Sequence, residues 1–158
     1  MADDFSEKIL DDFMRDQHHR GGAASPPSKM DHAAQPKTAQ EAKELGNMAF
    51  KEGEYKVAVR LYGCAIDLDD NESAQQKIYY SNRSASYCIL KKYQEAQSDA
   101  VKSTELDPSW YKAWYRKGVA EEGLGDYAAA ERSFAAGLAC APRDADLLKA
   151  HQEVKMMT

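Results

Sequence analysis

No apolar run in the 158 residues approaches the roughly 20 that a membrane-spanning helix needs, so no membrane partner is expected. Cysteine is scarce and odd in number: Cys64, Cys88 and Cys140 stand far apart, with no CxxC pair. That spacing argues against a disulfide or metal framework and reads as buried thiols of a reduced compartment. Positive charge is in deficit, with 21 Lys and Arg against 26 Asp and Glu and a net charge of −5. A general binder of nucleic acid or anionic lipid is not expected from that balance. The opening Met1-Ala2-Asp3-Asp4-Phe5 is acidic and lacks the basic start and apolar centre of a secretory signal. Neither a nucleophile–base pair, nor metal-ligand spacing, nor a phosphate-cradling glycine loop is visible. The expectation is a cytoplasmic protein that is not an enzyme and uses no cofactor or metal.

What the chain does contain changes character twice. Residues 3–16 place Phe5, Ile9, Leu10, Phe13 and Met14 at helical spacing with acids between them, a short amphipathic helix. An isolated helix of that length is marginal in water, so the segment reads as a frayed terminus. The alternative is a docking helix for a second partner or for the domain itself. From Arg20 to Lys37 the chain is rich in Gly, Ala, Ser and Pro and reads as a flexible linker. His18, His19 and His32, in or beside it, are expected to be solvated, and Ser25-Pro26 is too common a dipeptide to carry weight. Residues 1–37 thus form a flexible extension, expected to be dispensable both for the fold and for ligand binding.

From Thr38 onward a helical pattern runs on and repeats. Tyr55, Tyr93 and Tyr127 each begin a segment, with Ala58, Ala96 and Ala130 following, and then Tyr62, Ala100 and Phe134. The second and third tyrosines lie 34 residues apart and the first two 38, which places extra residues near Asp69 to Gln76. Gly53 and Gly125, with Lys91 as the exception, precede the tyrosines and supply a tight turn. Pairs of helices that cannot bury an apolar face alone must stack into one continuous core. The pairs fall at about 39–72, 77–108 and 109–142, and an amphipathic helix over 143–157 carries Leu147, Leu148 and Val154 as a cap.

Within this array the cations differ in whether their own helix supplies a partner. Lys117 has Glu121 four residues on, an ordinary pair worth a few tenths of a kcal/mol. Lys112 and Arg116 stand one turn apart on one face, repel each other, and have no acid three or four residues away. They have the look of half an anion-binding site. Lys43 likewise lacks an acid at helical spacing and has Asn47 one turn on; Asn82 sits within another helix. Asparagine mid-helix is poor for helix stability because its amide competes with the backbone, so these amides are needed elsewhere. Trp110, Tyr111, Trp114, Tyr115, Tyr79 and Tyr80 read as packing.

The 34-residue period, the Gly-x-Tyr turn, the Ala-x3-aromatic pair and the closing Pro108 and Pro142 resemble the tetratricopeptide repeat over about residues 38–158. Asp70 stands where proline is usual, Ala100 where an aromatic is usual, and the first helix lacks its early aromatic. The resemblance implies an all-α fold of three helix–turn–helix repeats plus a C-terminal capping helix, wound as a right-handed superhelix whose first helices line a groove. Lys43, Asn47, Asn82, Lys112 and Arg116 together look like the two-carboxylate clamp of the chaperone-binding branch of that family. By that resemblance Lys43, Asn47 and Asn82 grip the carboxylates of a terminal aspartate. Lys112 and Arg116 hold the remaining acidic and backbone groups, and Ala85 helps form a small valine pocket. The implied partners are the Glu-Glu-Val-Asp tails of heat-shock protein 70 and 90 chaperones, and the implied role is that of a co-chaperone or adaptor. A scaffold module binding another peptide or protein, with these five as ordinary surface groups, is the alternative.

Overall fold

A computed structural model of the chain describes residues 4–18, 35–70 and 74–158, with side chains in the first segment from residue 6 to 15. Phe5, His18, His19, Ser25 and His32 lie outside the described side chains. Eight helices account for the regular structure of the described residues: α1 (Asp4–His18), α2 (Ala39–Lys51), α3 (Tyr55–Leu68), α4 (Gln76–Ile89), α5 (Tyr93–Leu106), α6 (Tyr111–Gly123), α7 (Tyr127–Cys140) and α8 (Ala145–Lys155). Helices α2/α3, α4/α5 and α6/α7 pair, each pair packs on the next, and α8 covers α7. The array is a right-handed superhelix. The first helices of the pairs adjoin one another, α2 to α4 through the Asn82–Asn47 hydrogen bond and α4 to α6 by direct packing, and their shared side, against which α1 lies, is called the inner face.

Local chemistry sets the helix ends. Thr38 caps α2 by accepting from the Glu41 amide at 3.1 Å, while the Glu41 carboxylate reaches back to the Lys37 amide at 2.9 Å. Asp126 and Asp144 cap α7 and α8 in the same way, through the amides of Ala129 and Leu147. The three turns inside the pairs share one geometry. Gly53, Lys91 and Gly125 all have positive φ (79°, 60° and 78°), and the next amide in each reaches back to close the helix. Lys91 therefore holds a left-handed conformation that costs a side-chain-bearing residue about 1 kcal/mol. Lys91→Gly is expected to raise stability by about 0.5–1 kcal/mol, read as a higher thermal midpoint. An unchanged or lower midpoint would show that the lysine's own contacts outweigh the backbone cost.

The core is built from small residues facing large ones. Tyr62, Phe50, Phe134, Leu61, Val119, Leu147 and Val154 are fully buried. Tyr62 packs against Gly46, where an added Cβ would meet its ring at 2.7 Å, and Phe134 packs against Gly118, where the distance would be 2.4 Å. In the middle pair the corresponding positions are Ala100 and Ser84, and the Ser84 hydroxyl donates to the Ala96 carbonyl at 2.8 Å. The missing aromatic of that repeat is thus balanced by a larger residue opposite. Between helices, Arg83 grips Asp99 through two bonds of 2.8 Å, joining α4 to α5.

Two expectations are corrected. Helix α1 is no frayed terminus: Ile9 and Phe13 are buried to 1% exposure, and Phe13 stacks on Phe50 with ring centroids 3.8 Å apart. Burial of two such side chains contributes about 1.5–3 kcal/mol each, which an isolated helix cannot obtain. Lys8 pairs with Glu153 at 3.0 Å and Arg15 with Asp146 at 3.2 Å, tying α1 to α8. The thiols also differ from one another: Cys88 is buried and Cys64 partly so, but Cys140 is exposed.

Candidate functional site

Helices α2, α4 and α6 bring the six sequence-identified residues to the inner face. Lys43, Asn47, Asn82 and Arg116 are all below 10% exposed, Ala85 is buried, and Lys112 is half-buried. Polar groups so deeply placed on helix faces are costly unless they have partners. Two clusters supply partners for Asn47, Asn82, Lys112 and Arg116.

In the first, the Asn47 carbonyl oxygen accepts from the Tyr62 hydroxyl at 2.6 Å and from the Asn82 amide at 3.3 Å. Two donors on one oxygen fix which edge of the Asn47 amide accepts, so its amino edge is presented as a donor. Tyr62 is a contributor that sequence alone conceals. Its repeat position marks it as packing, and only the fold reveals that its hydroxyl orients Asn47. Burial raises the Tyr62 phenol well above its usual range, with the nearby Arg116 charge pulling the other way, so it remains a neutral donor. The same Coulomb reach links the two clusters.

The second cluster is Lys112, Arg116 and Asp12. The acid that the sequence did not supply on α6 comes from α1: Asp12 Oδ2 lies 2.9 Å from Arg116 Nη2. Arg116 retains two buried nitrogens, Nε and Nη1, with no hydrogen-bond partner. Burial lowers the Lys112 ammonium below the usual lysine range; Asp12 opposes this and Arg116 adds to it. Burial likewise pushes the Cys88 thiol up to about 12, with Arg116 opposing, so this core cysteine stays a neutral thiol. A cleft of about 260 Å³ remains between α1, α6 and the start of α8, with Tyr111, Lys112 and Asp146 in its wall.

The residues beside the site point elsewhere. In Asn82-Arg83-Ser84 only the asparagine serves the inner face, since Arg83 holds Asp99 and Ser84 the Ala96 carbonyl. Lys117, next to Arg116, donates to Glu121 at 2.6 Å, as its spacing predicts, and also to the Ser133 hydroxyl of α7 at 3.0 Å. Trp114 donates its indole N–H to the Pro108 carbonyl at 2.8 Å. Chemically the inner face is a row of buried cations and amide donors, suited to carboxylates and peptide backbone. Among the described residues no helix is long and apolar enough to cross a membrane, and no three or more His, Cys, Asp or Glu gather as a metal would need.

No family model matches the chain. The heat shock protein sti1 homolog of Schizosaccharomyces pombe is 44% identical to it over 117 residues, 74% of this chain and 19% of the relative. The chain therefore spans less than a fifth of that relative's length. Two solved structures are similar over nearly their whole length. The second TPR domain of human RPAP3, in complex with the HSP70 peptide SGPTIEEVD, matches with TM-score 0.68 and 31% identity over 74% of this chain and 94% of that one. The first TPR of Spaghetti (RPAP3), bound to the HSP90 peptide SRMEEVD, matches with TM-score 0.69 and 28% identity over 75% and 91%.

Proposed function

The chain belongs to the tetratricopeptide-repeat family, and from that premise we propose that its inner face clamps the C-terminal Glu-Glu-Val-Asp tail of heat-shock protein 70 or 90 chaperones. The observation that carries this reading is the carboxylate already seated on Arg116, 2.9 Å from its guanidinium. A site of buried cations that accepts one carboxylate has the chemistry to accept those of an acidic tail.

Lys43, Asn47 and Asn82 grip the terminal aspartate, with Tyr62 holding the Asn47 amide in the donating orientation. Lys112 and Arg116 take the remaining acidic and backbone groups, and Ala85 leaves room for the valine side chain. The protein acts as an adaptor or co-chaperone in the cytoplasm, bringing a chaperone to another component and catalysing nothing itself. The solved neighbours bind peptides of this class, which supports the reading.

A labelled peptide ending in Glu-Glu-Val-Asp, titrated beside its C-terminal amide and a scrambled peptide of equal charge, tests the clamp. Amidation deletes a charge and leaves groove donors unpaired, so the amide is expected to bind at least tenfold more weakly, about 1.5 kcal/mol. Binding of the acid should also weaken with salt. Equal affinity for acid and amide would overturn end recognition, and binding of neither would leave a scaffold for some other peptide.

A further inference from the structure

We propose that the inner face is also a receptor for an acidic amphipathic helix, that α1 is its occupant in cis, and that α1 and the chaperone tail compete for it. The identity of the competing tail rests on the clamp reading above; the helix seat does not.

Helix α1 touches elements of the inner face along the whole array. Phe13 stacks on Phe50 of α2, the helix packs on α4, Asp12 binds Arg116 of α6, and Lys8 and Arg15 reach acids of α8. Its register is fixed by opposite charges: the acid of α1 meets the cations of α6, and its cations meet Glu153 and Asp146. Adjacent residues do the two jobs a ligand must do here, Phe13 as the apolar anchor and Asp12 as the carboxylate. Asp12 also acts on the Lys112 charge, so it faces both cations of the pair.

The fit is incomplete in one informative place. Arg116 is 5% exposed, yet its Nε and Nη1 have no partner while α1 is seated. Buried charged donors left unmade are a penalty on the closed arrangement. A tail ending in aspartate brings two carboxylates on its last residue and can use donors that Asp12 leaves idle. Besides these contacts, helix α1 is covalently attached, which gives it an effective concentration of roughly millimolar. A closed population of about nine in ten would weaken the apparent affinity for the tail roughly tenfold.

The test uses the full chain. Phe13→Asp removes the anchor of α1 without changing any repeat residue, and Asp12→Lys reverses the carboxylate should the first variant fail to fold by circular dichroism. The expected result is that either variant binds the labelled Glu-Glu-Val-Asp peptide at least tenfold more tightly than the unaltered chain. A synthetic peptide of residues 4–18 added to the Phe13→Asp chain should restore the weaker affinity, and the same peptide carrying Phe13→Asp should not. Tail binding of equal strength in unaltered and variant chains overturns the competition and leaves the clamp standing. If the tail binds none of them, the clamp reading fails. Labelled residues 4–18 titrated into the Phe13→Asp chain then decide the helix seat alone: saturable binding lost on Arg116→Ala sustains it, and no binding overturns it.

Discussion

Lys117→Ala is expected to cost about 2–4 kcal/mol of folding stability, a fall in thermal midpoint of roughly 5–15 °C. The spacing of Lys117 and Glu121 alone accounts for only a few tenths of a kcal/mol, the worth of an exposed pair one turn apart. Burial changes the magnitude. The Glu121 side chain is 2% exposed, and its two oxygens are held by Lys117 at 2.6 Å and by the Ser133 hydroxyl at 2.7 Å. Lys117 itself bonds Ser133, so three side chains close a ring between α6 and α7. Removing the lysine leaves a buried carboxylate with a single hydroxyl for company. Breaking a fully buried pair costs about 3–5 kcal/mol; Lys117 is a quarter exposed, which sets the lower figure. Adding Glu121→Gln to Lys117→Ala should recover about 1 kcal/mol or more, because the orphaned charge is then gone. A midpoint within 2 °C of the parent would mean that water replaces the ammonium at no cost.

Arg116→Ala, one residue away, is expected to act on binding. Its effect depends on α1, because the same guanidinium holds Asp12. In the Phe13→Asp background, with the groove open, Arg116→Ala should weaken the acidic peptide roughly ten- to a hundredfold, about 1.5–3 kcal/mol. In the unaltered chain the loss should be smaller, since the substitution also removes a contact that holds α1 closed. Two changes that act through one group do not add. Lys117→Ala in the same open background should leave peptide affinity nearly unchanged. If Lys117→Ala weakens the peptide as much as Arg116→Ala does, attraction by net positive charge accounts for the binding, and the assignment of Arg116 to the groove is wrong.

The sequence exposes whatever is periodic or local. The repeat is visible because each pair reuses its tyrosine, alanine and turn residue at fixed spacing. Lys112 and Arg116 stand out because helical neighbours are countable, and neither has an acid within one turn. Asp12 could not be recognised as their partner: it lies a hundred or more positions earlier, and the helical period says nothing about which surfaces meet across that distance. The amphipathic stripe of α1 was equally visible, but a stripe does not name what covers it. Tyr62 was concealed by its double use, since the repeat explains its ring and only the fold brings its hydroxyl to Asn47. For Glu121, spacing supplied the partner, while its burial and the third member, Ser133, come from packing against α7.

The close approach of ring to glycine in the outer pairs constrains the order in which these repeats can change. Gly46 with Tyr62 and Gly118 with Phe134 behave as single heritable units, because a methyl group on either glycine would sit inside the ring facing it. The middle pair encodes the same space with the sizes exchanged, Ser84 opposite Ala100, and fastens it through the serine hydroxyl. An aromatic introduced at position 100 would meet a side chain, as would any group added at 46 or 118. The permissive route shrinks position 84 first, passing through a gap and a lost hydrogen bond, and enlarges position 100 second. The middle repeat is therefore separated from its neighbours by two coupled substitutions, tolerated in one order and blocked in the other.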